Sequence, residues 1–198
     1  MKRKFLLLTI SIMIVSFSSI SQNPDSTFID SRDHTVYKTV KIGTQTWMAE
    51  NLKFKTDSNS YCYKDSNIYC AKYGRLYTWR AAKTACPSGW HLPTDSDWNT
   101  LTTYLGGREV AGGKLKSTSS WSSPNSGATD SCGFTALPGG SRTEAAVFMN
   151  IGKNGNWWSS TEANVVGAYI RSLYAGTGIF GRGGCNKSIG CSVRCIKN

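Results

Sequence analysis

From Thr35 the chain alternates. Val36, Val40 and Ile42 fall between polar residues until Gly43, which is the two-residue period of a half-buried strand. Trp47 and Met48 open a second short apolar stretch that ends near Asn51 and Leu52. Between Tyr77 and Ala85 the spacing lengthens, and Trp79, Ala82 and Ala85 recur every third residue. That predicts a short helix stopped at Cys86, because the residue before Pro87 is pushed out of the helical region. The clearest helical signal spans residues 94–105. Thr94 can cap it, Asp97 can reach back to complete a capping box, and Trp98, Leu101 and Leu105 share one face before Gly106 and Gly107 end it. Beyond Gly112 and Gly113 no helical period returns. Short apolar stretches at 134–137, 147–151, 157–160, 166–174 and 191–196 are separated by Gly, Ser and Asn, which predicts strands joined by long loops. Two short helices early and a mainly antiparallel sheet late make the expected fold class α+β.

The N-terminus reads as an export signal. Lys2, Arg3 and Lys4 precede an apolar run from Phe5 to Phe17, and Ser19 and Ser21 supply the small residues a signal peptidase needs for a cut after residue 21. The run is too short to span a bilayer, which takes about 20 apolar residues. Residues 22–33 are polar and without period, so they are expected to be a flexible lead-in, with the domain occupying residues 34–198. The whole chain carries a net charge of +11, and loss of the three leader cations keeps it basic. Its charges are scattered in ones and twos. That argues against nucleic acid as a partner and fits a soluble surface that meets anionic polysaccharide or acidic protein outside the cell. All seven cysteines lie in the part that would be exported, where disulfides form, and the odd number leaves at least one thiol over.

Candidate chemistry is thin. Residues Gly176, Gly178 and Gly181 match a dinucleotide-binding pattern by letter, but that pattern needs a helix immediately after the glycines and Arg182-Gly-Gly-Cys does not begin one. No G-x-S-x-G occurs. Only His34 and His91 are present, and His91, between Trp90 and Leu92, reads as a packed structural imidazole. Asp97 is better explained as a cap than as one of a catalytic carboxylate pair. Two isolated histidines and no C-x-x-C predict no metal site, and no cofactor is expected. The seven tryptophans and nine tyrosines are a stronger clue, since aromatic faces beside hydrogen-bonding groups suit sugars and protein hot spots. Trp157 and Trp158 are adjacent in a predicted strand, so one ring is expected in the core and the other at the surface.

Residues 37–52 (YKTVKIGTQTWMAENL), 73–79 (YGRLYTW), 86–94 (CPSGWHLPT), 111–116 (AGGKLK), 133–142 (GFTALPGGSR), 157–161 (WWSST) and 192–197 (SVRCIK) together resemble, in order, the Fibrobacter succinogenes major paralogous domain. The resemblance implies a secreted or surface domain with a C-type lectin-like fold, distantly similar to formylglycine-generating enzymes. It brings no established activity with it, and a scaffold alone does not fix a function. It also implies two bridges, Cys62 to Cys70 and Cys86 to Cys195. Cys132, Cys185 and Cys191 depart from the family pattern; Cys191 could pair with either of the others. The Glu-Pro-Asn and Trp-Asn-Asp triplets of calcium-dependent lectins are missing.

The expected function is therefore an exported, non-catalytic module that binds a polysaccharide or surface protein. Arg142, Trp157, Tyr169, Arg171 and Tyr174 are its expected contacts, because arginines and aromatics lie in the segment where lectin-like folds present ligands. One alternative is a structural cell-surface component. Another is a copper-dependent thiol oxidase of the formylglycine-generating type, using Cys185 and Cys191.

Overall fold

A computed structural model describes residues 26–198; the expected leader, residues 1–21, and the first residues of the lead-in lie outside the described part. The alternating stretch becomes β2 (Val36–Ile42), whose antiparallel partner β3 (Gln45–Met48) is reached through a tight turn at Gly43, φ +62°. The lead-in departs from expectation. Ser26–Ile29 forms a strand, β1, paired with β2 from Ser26 opposite Thr39 to Ile29 opposite Val36. The fully buried Asp30 is bonded by the Arg32 guanidinium, which also reaches the Ala85 carbonyl and lies over the Phe54 ring, and Phe28 packs on Trp90. A polar, aperiodic stretch is thus held in place by one ion pair and two ring contacts, neither of which has a period to read.

The helix at Trp79–Ala85 forms as expected, and so does Asp95–Tyr104, where Thr94 and Asp97 make the reciprocal capping box. Two further helices were not legible: Asn67–Tyr73, and Arg108–Leu115, which restarts directly after Gly107. In chain order the helices are α1 (Asn67–Tyr73), α2 (Trp79–Ala85), α3 (Asp95–Tyr104) and α4 (Arg108–Leu115). The remaining strands are β4 (Ser60–Tyr61), β5 (Leu76–Tyr77), β6 (Trp90–His91), β7 (Ser141–Arg142), β8 (Phe148–Met149), β9 (Asn154–Glu162), β10 (Gly167–Tyr174), β11 (Gly181–Asn186), β12 (Cys191–Ser192) and β13 (Ile196–Lys197). Residues 134–137 form only a bridge, Ala136 to Lys116.

The strands make a five-stranded sheet in the order β1-β2-β3-β13-β6, a six-stranded sheet in the order β11-β10-β9-β12-β5-β4, and the hairpin β7-β8. All strand pairs are antiparallel except β9 with β12. The fold is α+β as expected. Both Cys62–Cys70 and Cys86–Cys195 are bridged. Among the described residues no helix is long and apolar enough to cross a membrane.

The core has two parts, one on each face of β9. Trp157 joins Trp47, Trp98, Leu101, Phe134 and Leu173, while Trp158 joins Tyr77, Trp79, Ala82, Ala168 and Val193. Adjacent strand residues do point to opposite faces, but both faces are covered. Both rings are fully buried, their indole N–H groups donating to Asn51 Oδ1 (2.8 Å) and the Tyr77 carbonyl (2.7 Å). Trp157 is therefore a core residue and not a surface contact.

Two cations are also fully buried. Arg194 donates to the carbonyls of Met48 and Phe134 and to Asn51 Oδ1, and stacks 4.3 Å from the Phe134 ring. Burial pulls its pKa down to about 9, against the opposing pull of Glu50 and Asp130. The Lys116 ammonium donates to the carbonyls of Ser126, Tyr174, Ala175 and Thr177 and thereby ties two segments, the loop through Ser126 and the β10–β11 connection, to the end of α4.

Candidate functional site

An open groove of 410 Å³ lies at the β4 edge of the six-stranded sheet, lined by Asn59, Tyr61, Thr78, Arg80, Arg142, Glu144, Lys187 and Ser188. A second depression of 280 Å³, with Thr56, Asp57, Ser58 and Thr84, shares Asn59 and Arg80 with it, so the two form one polar channel.

Four separate segments build it. The Cys62–Cys70 bridge folds α1 back beside β4 and leaves Tyr61 at the sheet edge. The hairpin places Arg142 opposite Phe148. The Arg142 backbone is pinned by a reciprocal pair of hydrogen bonds with Gly190 (2.9 and 2.7 Å). A side chain at Gly190 would meet Arg142 Cβ at 3.1 Å, so glycine permits that approach. The Arg142 guanidinium then lies 3.8 Å from the centre of the Tyr61 ring and 5.7 Å from that of Phe148. Phe148 continues into a row of rings: Tyr63 at 5.2 Å, Tyr69 beyond it at 5.4 Å, and Tyr73 at 6.3 Å. Arg80 projects from the exposed side of α2.

Charge commitments differ around the groove. Lys187 is spent, its Nζ bonded to Glu162 (3.0 Å) and the Val165 carbonyl (2.9 Å). Neither the Arg80 nor the Arg142 guanidinium donates a hydrogen bond to, or pairs with a carboxylate of, any other described residue. Ring stacking holds Arg142 in place while leaving its N–H edge free.

Of the expected contacts, only Arg142 lines this groove. Arg171, 3% exposed, is a tie between sheet and helix: its Nη2 donates to Asp95 Oδ1 (2.7 Å), the Asp95 carbonyl (3.2 Å) and Asn99 Oδ1 (2.9 Å), anchoring the start of α3. Its position opposite Trp157 on β10, under α3, is what buries it. Tyr169 lies 3.7 Å beneath the Arg182 guanidinium, itself bonded to Asp95. Tyr174 is exposed but does not line the groove. Tyr61, Arg80, Phe148 and Lys187 were not singled out by sequence reasoning. The one legible signal concerns Tyr61 alone: the Cys62–Cys70 pairing implied by the family places it beside the helix that carries Cys70.

Cys132, Cys185 and Cys191 are thiols here, so the structure contains no third bridge among them. Cys132 is pushed up to about 11 by burial. Cys185 and Cys191 interact: the contact with Cys191 draws the Cys185 thiol down, whereas that contact and burial push Cys191 up. Two soft donors are thus adjacent, but among the described residues no three His, Cys, Asp or Glu side chains gather as a metal site. His91 is held on both ring nitrogens, Nδ1 by Asn198 (2.7 Å) and Nε2 by Asp97 (3.4 Å). No helix follows Gly181; β11 begins there instead.

Fold and groove together define a disulfide-stapled α+β domain with an open polar channel along one sheet edge. The model of the Fibrobacter succinogenes major domain matches residues 40–197, and the chain belongs to that family. No curated protein and no solved structure matches it.

Proposed function

We propose that this protein is an exported binding module that holds a polysaccharide in the channel around Arg142. The observation that carries this reading is a guanidinium stacked on Tyr61 with its donors unspent, in a groove whose lining side chains each carry a hydroxyl, amide or charged group. Sugar rings offer hydroxyls to such walls, and the neighbouring aromatic row offers faces for their C–H surfaces. A C-type lectin-like assignment fits the two sheets, the long loops between them and the staple between Cys86 and the C-terminal strand. Two disulfides, together with the basic, apolar leader pattern, support export to the periplasm, cell surface or medium.

The test is retention of the purified protein on immobilised polysaccharides and a glycan array. Binding that falls by on the order of tenfold or more in Arg142→Ala, with the unfolding midpoint preserved, supports the reading. An Arg142→Ala variant that binds as well as the parent would sink it.

A further inference from the structure

We infer that the ligand of this channel is an acidic polysaccharide, one that presents a uronate carboxylate to Arg142 and a second to Arg80. The inference rests on the binding-module reading above and narrows it to a chemical class. Arg142 and Arg80 line the same groove, and neither has a carboxylate partner. A third cation, Lys83, lies 4.8 Å from the centre of the Trp79 ring and likewise has none, whereas Lys187, on the same ring at 4.7 Å, is neutralised by Glu162.

An arginine normally loses side-chain freedom when it takes a ligand. Arg142 is already restrained by the Tyr61 ring, on a backbone fixed by the bonds with Gly190, so part of the cost of ordering falls on folding and not on binding. What remains available is a planar fork of N–H donors, which matches a carboxylate in two parallel hydrogen bonds and matches a lone hydroxyl poorly. The groove is open and continues through Asn59 and Arg80 into the neighbouring depression, which suits a chain passing through more than a small molecule enclosed.

Two carboxylates also face the channel, Glu144 on the hairpin turn and Asp57 at the far end. They break up the positive surface, so a densely charged polyanion such as nucleic acid meets repulsion between its contacts. A polymer with one carboxylate per sugar can set its acids on the two arginines and its hydroxyls beside the acids.

The experiment is calorimetric titration of the full chain with an oligogalacturonate and with its methyl ester of equal length. The free acid is expected to bind at least about tenfold more tightly, and added salt should weaken the acid and not the ester. Arg142→Gln and Arg80→Gln should each remove most of that preference without shifting the denaturant midpoint. Arg142→Lys keeps the charge but not the fork, and should restore only part of it. Equal affinity for acid and ester, or a preference that survives Arg142→Gln, overturns the inference while leaving a polysaccharide module intact. Failure of both probes, together with failure of every neutral polysaccharide on the array, overturns the binding-module reading itself.

Discussion

Lys116 places a full positive charge where no carboxylate reaches it. Its ammonium is satisfied by four carbonyls, and those of Ser126 and Thr177 receive no other hydrogen bond from the described residues. Burial alone pulls its pKa below the ordinary lysine value. Removing the charge relieves that penalty but takes one donor away from four carbonyls at once, and the loss of those bonds outweighs it. Lys116→Met is expected to destabilise the protein by about 3 kcal/mol, read as a shift in urea midpoint; a variant as stable as the parent would refute this account. Asp30 and Glu50 set the response to acid. Burial raises both, yet the Arg32 bonds to Asp30, and the Lys38 N–H and Lys53 ammonium on Glu50, more than compensate and hold both below the usual carboxylate range. Their folded values lie below their unfolded ones. They therefore add stability that is complete above the unfolded values and drains away as pH falls through the folded ones. Asp130, raised by burial, works in the opposite sense and offsets part of the loss. Unfolding midpoints should drop between about pH 5 and about pH 3, and Asp30→Asn should flatten that slope.

Among the elements, α3 was fully legible because its signals are local: the cap, the box partner and the apolar face all lie within twelve residues of each other. Helix α4 was not, because Gly112 and Gly113 look like a stop. They are helical because neighbours demand it. A side chain at Gly112 would meet the Gly178 carbonyl at 2.4 Å, and one at Gly113 the Gly127 carbonyl at 2.3 Å. The Gly113 N–H donates to the Gly178 carbonyl at 3.1 Å, so the same approach that excludes a methyl group supplies a hydrogen bond. Alanine is a better helix former than glycine by about 1 kcal/mol, yet Gly112→Ala should still cost about 1–3 kcal/mol because backbone must move. A stabilised Gly112→Ala variant, measured by thermal or urea unfolding, would show that the contact yields. The strand β11 escaped for a related reason. Its glycines carry no side-chain alternation, and only pairing with β10 makes it a strand.

At the scale of the molecule the decisive link is Cys86–Cys195, which joins residues 109 apart. It ties the end of α2 to the segment carrying Arg194 and β13, the strand that completes the five-stranded sheet between β3 and β6. Closing a loop of that length is worth about 4–5 kcal/mol on the chain-entropy view, and the eight-residue Cys62–Cys70 loop about 2–3. The double variant Cys86→Ala/Cys195→Ala should accordingly lose more stability than Cys62→Ala/Cys70→Ala in denaturant titrations. The smaller bridge should instead matter for ligand, because it positions Tyr61 under Arg142; glycan retention should fall further than its modest stability loss explains. The reverse ranking for stability would show that these bridges act through native-state strain and not through the unfolded chain.

The amino-acid sequence alone determined the α+β class, β2, α2 and α3, the family and, through it, both disulfides. These are readings of period, capping and motif, which depend on neighbours close in the chain. His91, expected to be packed, is instead 41% exposed at the side chain. Only the tertiary structure decided what covers each face. Trp157 and Trp158 were correctly placed on opposite faces of a strand, but the sequence carries no sign that both faces of β9 are core. Arg171 looked like a surface arginine until α3 folded over it with Asp95, a residue 76 positions away. The channel has the same origin: its walls come from β4, α2, the β7-β8 hairpin and the turn after β11, and no local pattern records that those four segments meet. Periodicity tells which side chains share a face. Which faces are buried is settled by contacts between distant segments, and those are made only when the chain is folded.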